Sequence, residues 1–174
     1  MDHPSASGTR AGGTLAAMET PASSPASDAS TPLAATPVVL ERDGAVAIIR
    51  LNRPQALNSL DGATKVSLRD TVLAMAEDDS VRCVVLTGSG RAFSAGQDLK
   101  EHLAILNGPD RSSLFRTVEE HYNPTVEALA TMPKPVIAAV NGVAAGAGAS
   151  YAFAADLRIV AESAGFNLAF TQIA

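Results

Sequence analysis

The chain has 174 residues, a formal net charge of −5 and 47% hydrophobic residues, which is enough for one domain with a substantial apolar core. Its 13 basic residues are scattered rather than gathered in one stretch, which argues against a nucleic-acid partner. The single cysteine, Cys83, excludes an internal disulfide and leaves no ligand cluster for a metal. Because it lies in the apolar run Cys83–Leu86, we interpret it as a buried strand residue in a protein of a reducing, cytoplasmic compartment.

Residues 1–37 have the composition of a disordered tail, and residues 38–174 are expected to form the folded domain. Of the first 37 residues, 28 are Ala, Ser, Thr, Pro or Gly, and none is aromatic. Such a segment buries too little apolar surface to offset the entropy lost on ordering. Ser, Pro and Gly also interrupt it too often for the apolar region of a secretory signal. Two interpretations stay open: a disordered tail, or a start codon placed too far upstream.

The first predicted elements are a hairpin, a helix and a buried strand. Val38–Leu51 has two apolar runs around a turn at Arg42–Gly44, which predicts paired strands. Asp61 is a predicted N-cap, and apolar residues recur after it at near-helical spacing up to the acidic segment Glu77–Ser80. Arg82–Gly88 is a continuous apolar run, typical of a strand that is covered on both faces.

Predicted helices and strands alternate in the second half of the chain. In order, we expect a helix from near Asp98, a helix from about Arg111 to Ala130, a strand at Val136–Val140, a helix rich in Gly and Ala, a strand at Leu157–Ala161 and a short apolar segment around Phe166. Strands that alternate with helices form right-handed βαβ units. The predicted fold class is therefore α/β, with a largely parallel and buried sheet.

One apolar stretch, Pro135–Ala155, runs for 21 residues without a charge, which is long enough to span a membrane. However, it contains Asn141, Ser150 and Tyr151, and it divides into a β-rich part and a part made mostly of Gly and Ala. We therefore expect a buried strand followed by a buried helix, and no membrane partner.

Two segments of small residues, Gly88–Leu99 and Asn141–Ala149, each follow a predicted strand. Glycine and alanine let a ligand approach the main chain closely, so two such turns can aim backbone N–H groups at one oxygen atom. Taken alone, the Gly/Ala run at Gly146–Ala149 is more typical of a helix packed closely on a sheet. A dinucleotide-binding loop is excluded, because its third glycine would fall at Phe93. The pair of turns predicts an oxyanion hole.

These paired segments resemble the enoyl-CoA hydratase/isomerase (crotonase) superfamily, and the matching region runs from about Val38 to Ala174. The resemblance implies a crotonase-like spiral of ββα units, and we expect the spiral to be incomplete at the C-terminus. It also implies an acyl-CoA thioester as the partner, with coenzyme A as part of the substrate and no separate cofactor. A homotrimer or hexamer is expected for a full-length protein.

By the same resemblance, the backbone N–H groups of Gln97 and Ala147 are the oxyanion donors. The residues that match positions holding coenzyme A or the substrate are Gln55, Ala56, Ala95, Gln97, Asp98, Leu99, Gly146 and Ala147. We expect Asp98 to act mainly as a structural N-terminal residue of a helix. Arg53 and Lys100 are candidates for contacts with the phosphates of coenzyme A, and solvated surface charges are at least as good an interpretation.

The chain departs from the hydratases of this superfamily at both catalytic glutamates, because Ser150 and Phe170 occupy those positions. Segments such as Gly96–Leu99 and Tyr122–Pro124 are closer to the ring-1,2-epoxyphenylacetyl-CoA isomerases of phenylacetate catabolism. The resemblance therefore implies isomerisation through an enolate-like intermediate. The catalytic aspartate of that branch would lie a few residues beyond Ala174, so we expect the general base to be absent from this chain.

Two alternatives to isomerisation stay open. One is a non-catalytic truncated remnant or acyl-CoA-binding fragment, and the other is a hydratase with an unconventional base such as Glu120. His102 and His121 are conceivable proton carriers, although a surface or packing role suits both.

Overall fold

The structure is a computed structural model that describes residue 1, residues 36–109 and residues 111–168. Most of the predicted tail, residues 1–37, lies outside the described residues, and so does Phe170. Contacts divide the chain into two units, residues 1–33 and 34–174, and all elements given below belong to the second unit.

Eight strands and five α-helices make up the described fold. The strands are β1 (Val38–Asp43), β2 (Val46–Leu51), β3 (Cys83–Gly88), β4 (Ala92–Ser94), β5 (Val136–Val140), β6 (Val143–Ala145), β7 (Leu157–Val160) and β8 (Phe166–Asn167). The helices are α1 (Gly62–Glu77), α2 (Leu99–Leu106), α3 (Ser113–Thr117), α4 (Asn123–Thr131) and α5 (Ala147–Ala154), with a 3-10 turn at Pro54–Ala56 and a π-helical turn at Val118–Tyr122.

The larger sheet has the order β1-β2-β3-β5-β7, with β1 antiparallel to β2 and all other neighbours parallel. Side chains of β2 alternate, and Ala47, Ile49 and Leu51 point into the core with no exposed surface. The predicted hairpin and the parallel sheet are therefore confirmed. Cys83 begins β3 and is only half-buried. Its interpretation as a buried residue was therefore wrong, because the first residue of this strand lies at the rim of the core.

Helix α1 begins where the sequence predicts, because the Asp61 carboxylate accepts a hydrogen bond of 2.9 Å from the Thr64 N–H. Leu68, Val72 and Met75 lie on its buried face at near-helical spacing. This face packs against the hairpin and covers one side of the larger sheet.

A second sheet has the order β4-β6-β8. Its parallel strands have only two or three residues and show no periodicity, so the residue pattern does not predict it, although the ββα units implied by the resemblance contain a second strand. Each short strand follows a long one, so β3-β4, β5-β6 and β7-β8 repeat one pattern along the chain. In the first two repeats a helix comes next, which is the expected ββα unit. The second sheet brings the ends of β4 and β6 side by side.

The helix expected from Arg111 to Ala130 is interrupted by the π-helical turn, and Pro124 explains why. Proline has no N–H to donate to the carbonyl four residues earlier, which belongs to Glu120. That carbonyl instead accepts a hydrogen bond of 2.9 Å from the Arg69 guanidinium, while the Asn123 N–H bonds five residues back to Val118. The wider turn therefore satisfies the backbone around the proline.

Within the described residues, no helix has both the length and the apolar character needed to cross a membrane. The stretch Pro135–Ala155 forms β5, β6 and the short helix α5.

Strand β7 forms an exposed apolar edge of the larger sheet. Leu157, Ile159 and Val160 are 58%, 66% and 43% exposed, and an edge strand leaves one row of backbone groups open for pairing with another chain. We predict that the 174-residue chain self-associates and that Ile159→Lys weakens this association roughly tenfold. Sedimentation velocity over a concentration series measures the effect. Leu73→Lys, at a similarly exposed position on α1, is the control, and an equal effect of both variants would contradict a role for this edge.

Candidate functional site

The turn after β4 and the start of α5 lie in direct contact. Gly96 has a φ of +82°, and a Cβ at this position would lie 2.6 Å from the Ala145 carbonyl oxygen and 3.3 Å from the Ala147 nitrogen. Only glycine combines this left-handed backbone with so close an approach. The two predicted segments therefore meet at Gly96 and Ala147.

The backbone N–H of Gln97 has a defined direction. The carbonyl of Gly96 accepts a hydrogen bond of 2.8 Å from the Leu60 N–H, and the Leu60 carbonyl accepts one of 3.2 Å from Asp98. In a planar trans peptide the N–H points opposite to the C=O, so the Gln97 N–H points away from Leu60. Within residues 36–109 and 111–168, no backbone carbonyl accepts from it.

The N–H of Ala147 points out of the N-terminus of α5. The carbonyl of Gly146 accepts from Ser150 N–H at 3.1 Å as the helix begins, so the N–H of the same peptide faces the opposite way. As the first residue of the helix, Ala147 has no intrahelical acceptor for this N–H. Gly148 lets the helix sit this close to β4, because a Cβ there would lie 2.6 Å from Ser94.

The residues expected to hold coenzyme A lie around this contact. The N–H of Ala95 donates to the Leu57 carbonyl at 2.9 Å, which joins the turn containing Gln55 and Ala56 to the loop that ends at Leu99. Gln55, Ala95 and Leu99 are exposed. The structure thus brings these predicted positions to one accessible edge.

Asp98 caps α2, as expected: its carboxylate accepts from the N–H groups of Lys100 at 3.1 Å and Glu101 at 3.3 Å. It also accepts from Ser59 Oγ at 2.9 Å and Arg53 at 3.1 Å. Burial by itself raises the pKa of Asp98, but the hydrogen bonds from Ser59, Glu101 and Arg53 outweigh it, and the pKa is lower than usual. The carboxylate is therefore a structural anion at neutral pH.

Arg53 is neither a solvated surface charge nor a free cation for phosphate. Its guanidinium lies 3.0 Å from Asp61 and 3.1 Å from Asp98, and it donates to the Ser59 carbonyl at 2.6 Å. It therefore joins the N-caps of α1 and α2. Lys100 is exposed on the first turn of α2.

A cavity of about 160 Å³ lies beside Gln97. The charged and polar side chains that line it include Lys65, Glu101, Glu120 and His121. Burial lowers the pKa of His121, and the positive charges of Lys65 and Arg69 lower it further, so the ring is neutral at pH 7. The carboxylate of Glu120 lies 3.7 Å from Arg116. Ser150 Oγ faces the Gly146 carbonyl at 3.4 Å within α5.

Sequence reasoning assigned no role to Lys65, Glu101 or Tyr122, which are connected to one another and to Gln97. Lys65 is only 4% exposed and lies 3.4 Å from the Glu101 carboxylate, and its Nζ lies 5.8 Å from the centre of the Tyr122 ring. The Tyr122 hydroxyl donates a hydrogen bond to the side-chain oxygen of Gln97. A signal for Lys65 existed, because it falls on the same helical stripe as Leu68 and Val72.

The profile of the enoyl-CoA hydratase/isomerase family matches residues 41–174. The 1,2-epoxyphenylacetyl-CoA isomerase of Escherichia coli is 47% identical over 74% of this chain and 48% of that protein. The crotonyl-CoA hydratase of Syntrophomonas wolfei is 35% identical over 75% and 48%. The crystal structure of an enoyl-CoA hydratase from Bacillus anthracis matches with a TM-score of 0.72 at 36% identity, over 79% of this chain and 52% of that one. The chain spans about half the length of the curated relatives it matches.

The capping role of Asp98 predicts a pH-dependent contribution to stability. A pKa that is depressed in the folded state stabilises the fold above the unfolded-state pKa of about 3.9, and this contribution is lost as the pH falls through the lower folded-state value. We expect Asp98→Asn to lower the free energy of unfolding by about 1–3 kcal/mol at pH 7 and by much less at pH 3. Urea denaturation at both pH values measures the difference. A loss that is equal at both pH values would contradict the role of the charge.

Proposed function

Since the chain belongs to the enoyl-CoA hydratase/isomerase family, we propose that it binds an acyl-CoA thioester and stabilises an enolate-like state of that thioester. The observation that carries this proposal is the contact between the Gly96 turn and the N-terminus of α5. In this proposal the N–H groups of Gln97 and Ala147, which flank that contact, are the two donors of an oxyanion hole for the thioester oxygen.

The proposed reaction requires the two N–H donors and a base that removes a proton from the carbon next to the thioester. When a proton leaves the carbon next to a thioester, negative charge collects on the thioester oxygen. Preorganised N–H groups stabilise this charged form more than the neutral carbonyl, and one such donor contributes about 3–4 kcal/mol in comparable enzymes. The positive end of the α5 dipole adds to the effect.

The surrounding turns are the proposed binding surface for coenzyme A. We propose that the backbone groups of Gln55, Ala56, Ala95 and Leu99 contact the adenine and pantetheine parts. Gly146 would line the hole beside Ala147. A trimeric or hexameric assembly, a cytoplasmic location and a place in phenylacetate breakdown remain expectations that rest on the resemblance.

Isomerisation is the proposed reaction. Ser150 stands on α5 where a hydratase of the family carries a glutamate, and a hydroxyl is not basic enough to activate water at neutral pH. The relative from Escherichia coli that is 47% identical is named an isomerase. We assign no general base among the described residues.

Hydration with Glu120 as the base is the second candidate, because Glu120 lines the cavity next to Gln97. Its side chain is 55% exposed, and its carboxylate lies 3.7 Å from the Arg116 guanidinium.

Ala147→Pro removes one proposed donor with little disturbance of the helix. Proline suits the first position of a helix, where the N–H has no helical acceptor. We expect the carbonyl stretch of bound crotonyl-CoA, labelled with ¹³C at the thioester carbon, to shift to lower frequency with the unchanged chain and to lose most of this shift in the variant. Any turnover should fall about 10²–10³-fold.

Ala147→Gly is the matched variant, because it alters the side chain and keeps the N–H. Circular dichroism checks that both variants fold. If Ala147→Pro retained the full shift, Ala147 would not be a donor.

A second measurement separates isomerisation from hydration. Polarisation of the thioester acidifies the neighbouring C–H, so we expect the chain to speed deuterium exchange of a 3-enoyl-CoA in D₂O without forming 3-hydroxyacyl-CoA. Mass spectrometry follows both products. Water addition that disappears in Glu120→Gln would favour the hydratase, whereas tight binding without exchange would favour a non-catalytic acyl-CoA-binding fragment.

A further inference from the structure

The oxyanion hole contains a competitor for its own donors. The side chain of Gln97 ends in an amide oxygen, which is a good hydrogen-bond acceptor, and it grows from the same residue as one of the two N–H groups. A free glutamine side chain next to unpaired N–H groups would bond to them. Such a bond would occupy the place proposed for the thioester oxygen.

Tyr122 forms a hydrogen bond with this oxygen. Its hydroxyl donates a hydrogen bond to Gln97 Oε1, across 25 positions of the chain. Burial raises the pKa of Tyr122 far above its ordinary value, so the hydroxyl keeps its proton throughout the physiological range. The donor is therefore always available to the amide oxygen.

The Tyr122 ring is itself held on two sides. The Lys65 ammonium lies 5.8 Å from the ring centre, and the lysine is kept in place by Glu101 at 3.4 Å. On another side the ring of Tyr151 packs at 6.2 Å between centroids. A tyrosine with so little freedom can hold a flexible side chain in one position.

We propose that Tyr122 is a positioning residue that keeps the Gln97 amide oxygen out of the oxyanion hole. This inference rests on the proposed function, because it needs the hole to receive a thioester oxygen. Tyr122 acts through Gln97, so its effect depends on the presence of the glutamine side chain.

A double-mutant cycle tests this dependence. Tyr122→Phe removes only the hydroxyl, and Gln97→Ala removes the competing amide while keeping the main-chain N–H. Cinnamoyl-CoA is the probe, since its absorbance moves to longer wavelength when hydrogen bonds polarise the thioester carbonyl. We expect Tyr122→Phe to reduce the red shift of the bound probe and to raise its Kd roughly fivefold, in line with the loss of one neutral hydrogen bond. In the Gln97→Ala background the same change should have no further effect.

Tyr151→Phe is the matched control. It deletes another buried hydroxyl next to Tyr122, one that interacts with Thr125 and not with Gln97. We expect this variant to keep both the red shift and the Kd, which would separate a general packing effect from loss of the bond to Gln97.

Three results would overturn the inference. An unchanged red shift in Tyr122→Phe would show that the hydroxyl does not matter, and an equal loss in the Gln97→Ala background would show that Tyr122 acts by another route. If the unchanged chain itself gave no red shift, the proposed function would be wrong, and the inference would fail with it. If the unchanged chain gives the red shift and Tyr122→Phe keeps it, the inference is wrong while the proposed function stands.

Discussion

The close contact between the Gly96 turn and the first turn of α5 is the constraint on which the candidate site depends. Two glycines permit it: a Cβ at Gly96 would collide with the Ala145 carbonyl, and one at Gly148 would collide with Ser94. The small second sheet supplies the alignment, since Ser94 at the end of β4 pairs with Ala144 near the end of β6. In the proposed function, local geometry of the main chain, rather than any reactive side chain, thus sets the chemistry of the site.

Charged side chains hold the elements around this contact in place. Arg53 joins the caps of α1 and α2, and the Lys65–Glu101 pair connects the same two helices one turn further on. A buried ion pair contributes little net stability, because desolvation offsets much of the attraction. It does require one relative position of the two helices, and that position decides where the Gln97 loop lies between them.

The sequence alone predicted the features that local physics decides. The hairpin, the Asp61 and Asp98 caps, the parallel strands and the two glycine-rich turns all follow from composition and spacing within short segments. The second sheet was missed because strands such as Phe166–Asn167 are too short to show a period. The pairing of Arg53 with Asp98 and of Tyr122 with Gln97 could not be predicted, since each joins residues far apart in the chain and depends on how the helices pack.

The π-helical turn before Pro124 also sets the rotational phase of everything that precedes α4. An α-helix advances by about 100° for each residue. Tyr122 ends the π-helical turn and stands seven residues before Leu129, which is about two α-helical turns, so both residues lie on the face that packs against the core. Loss of a single residue from the π-helical turn would rotate the residues before it, Ser113–Thr117, by about 100° relative to this face. The number of residues in this turn therefore matters more to the fold than the identity of most of them.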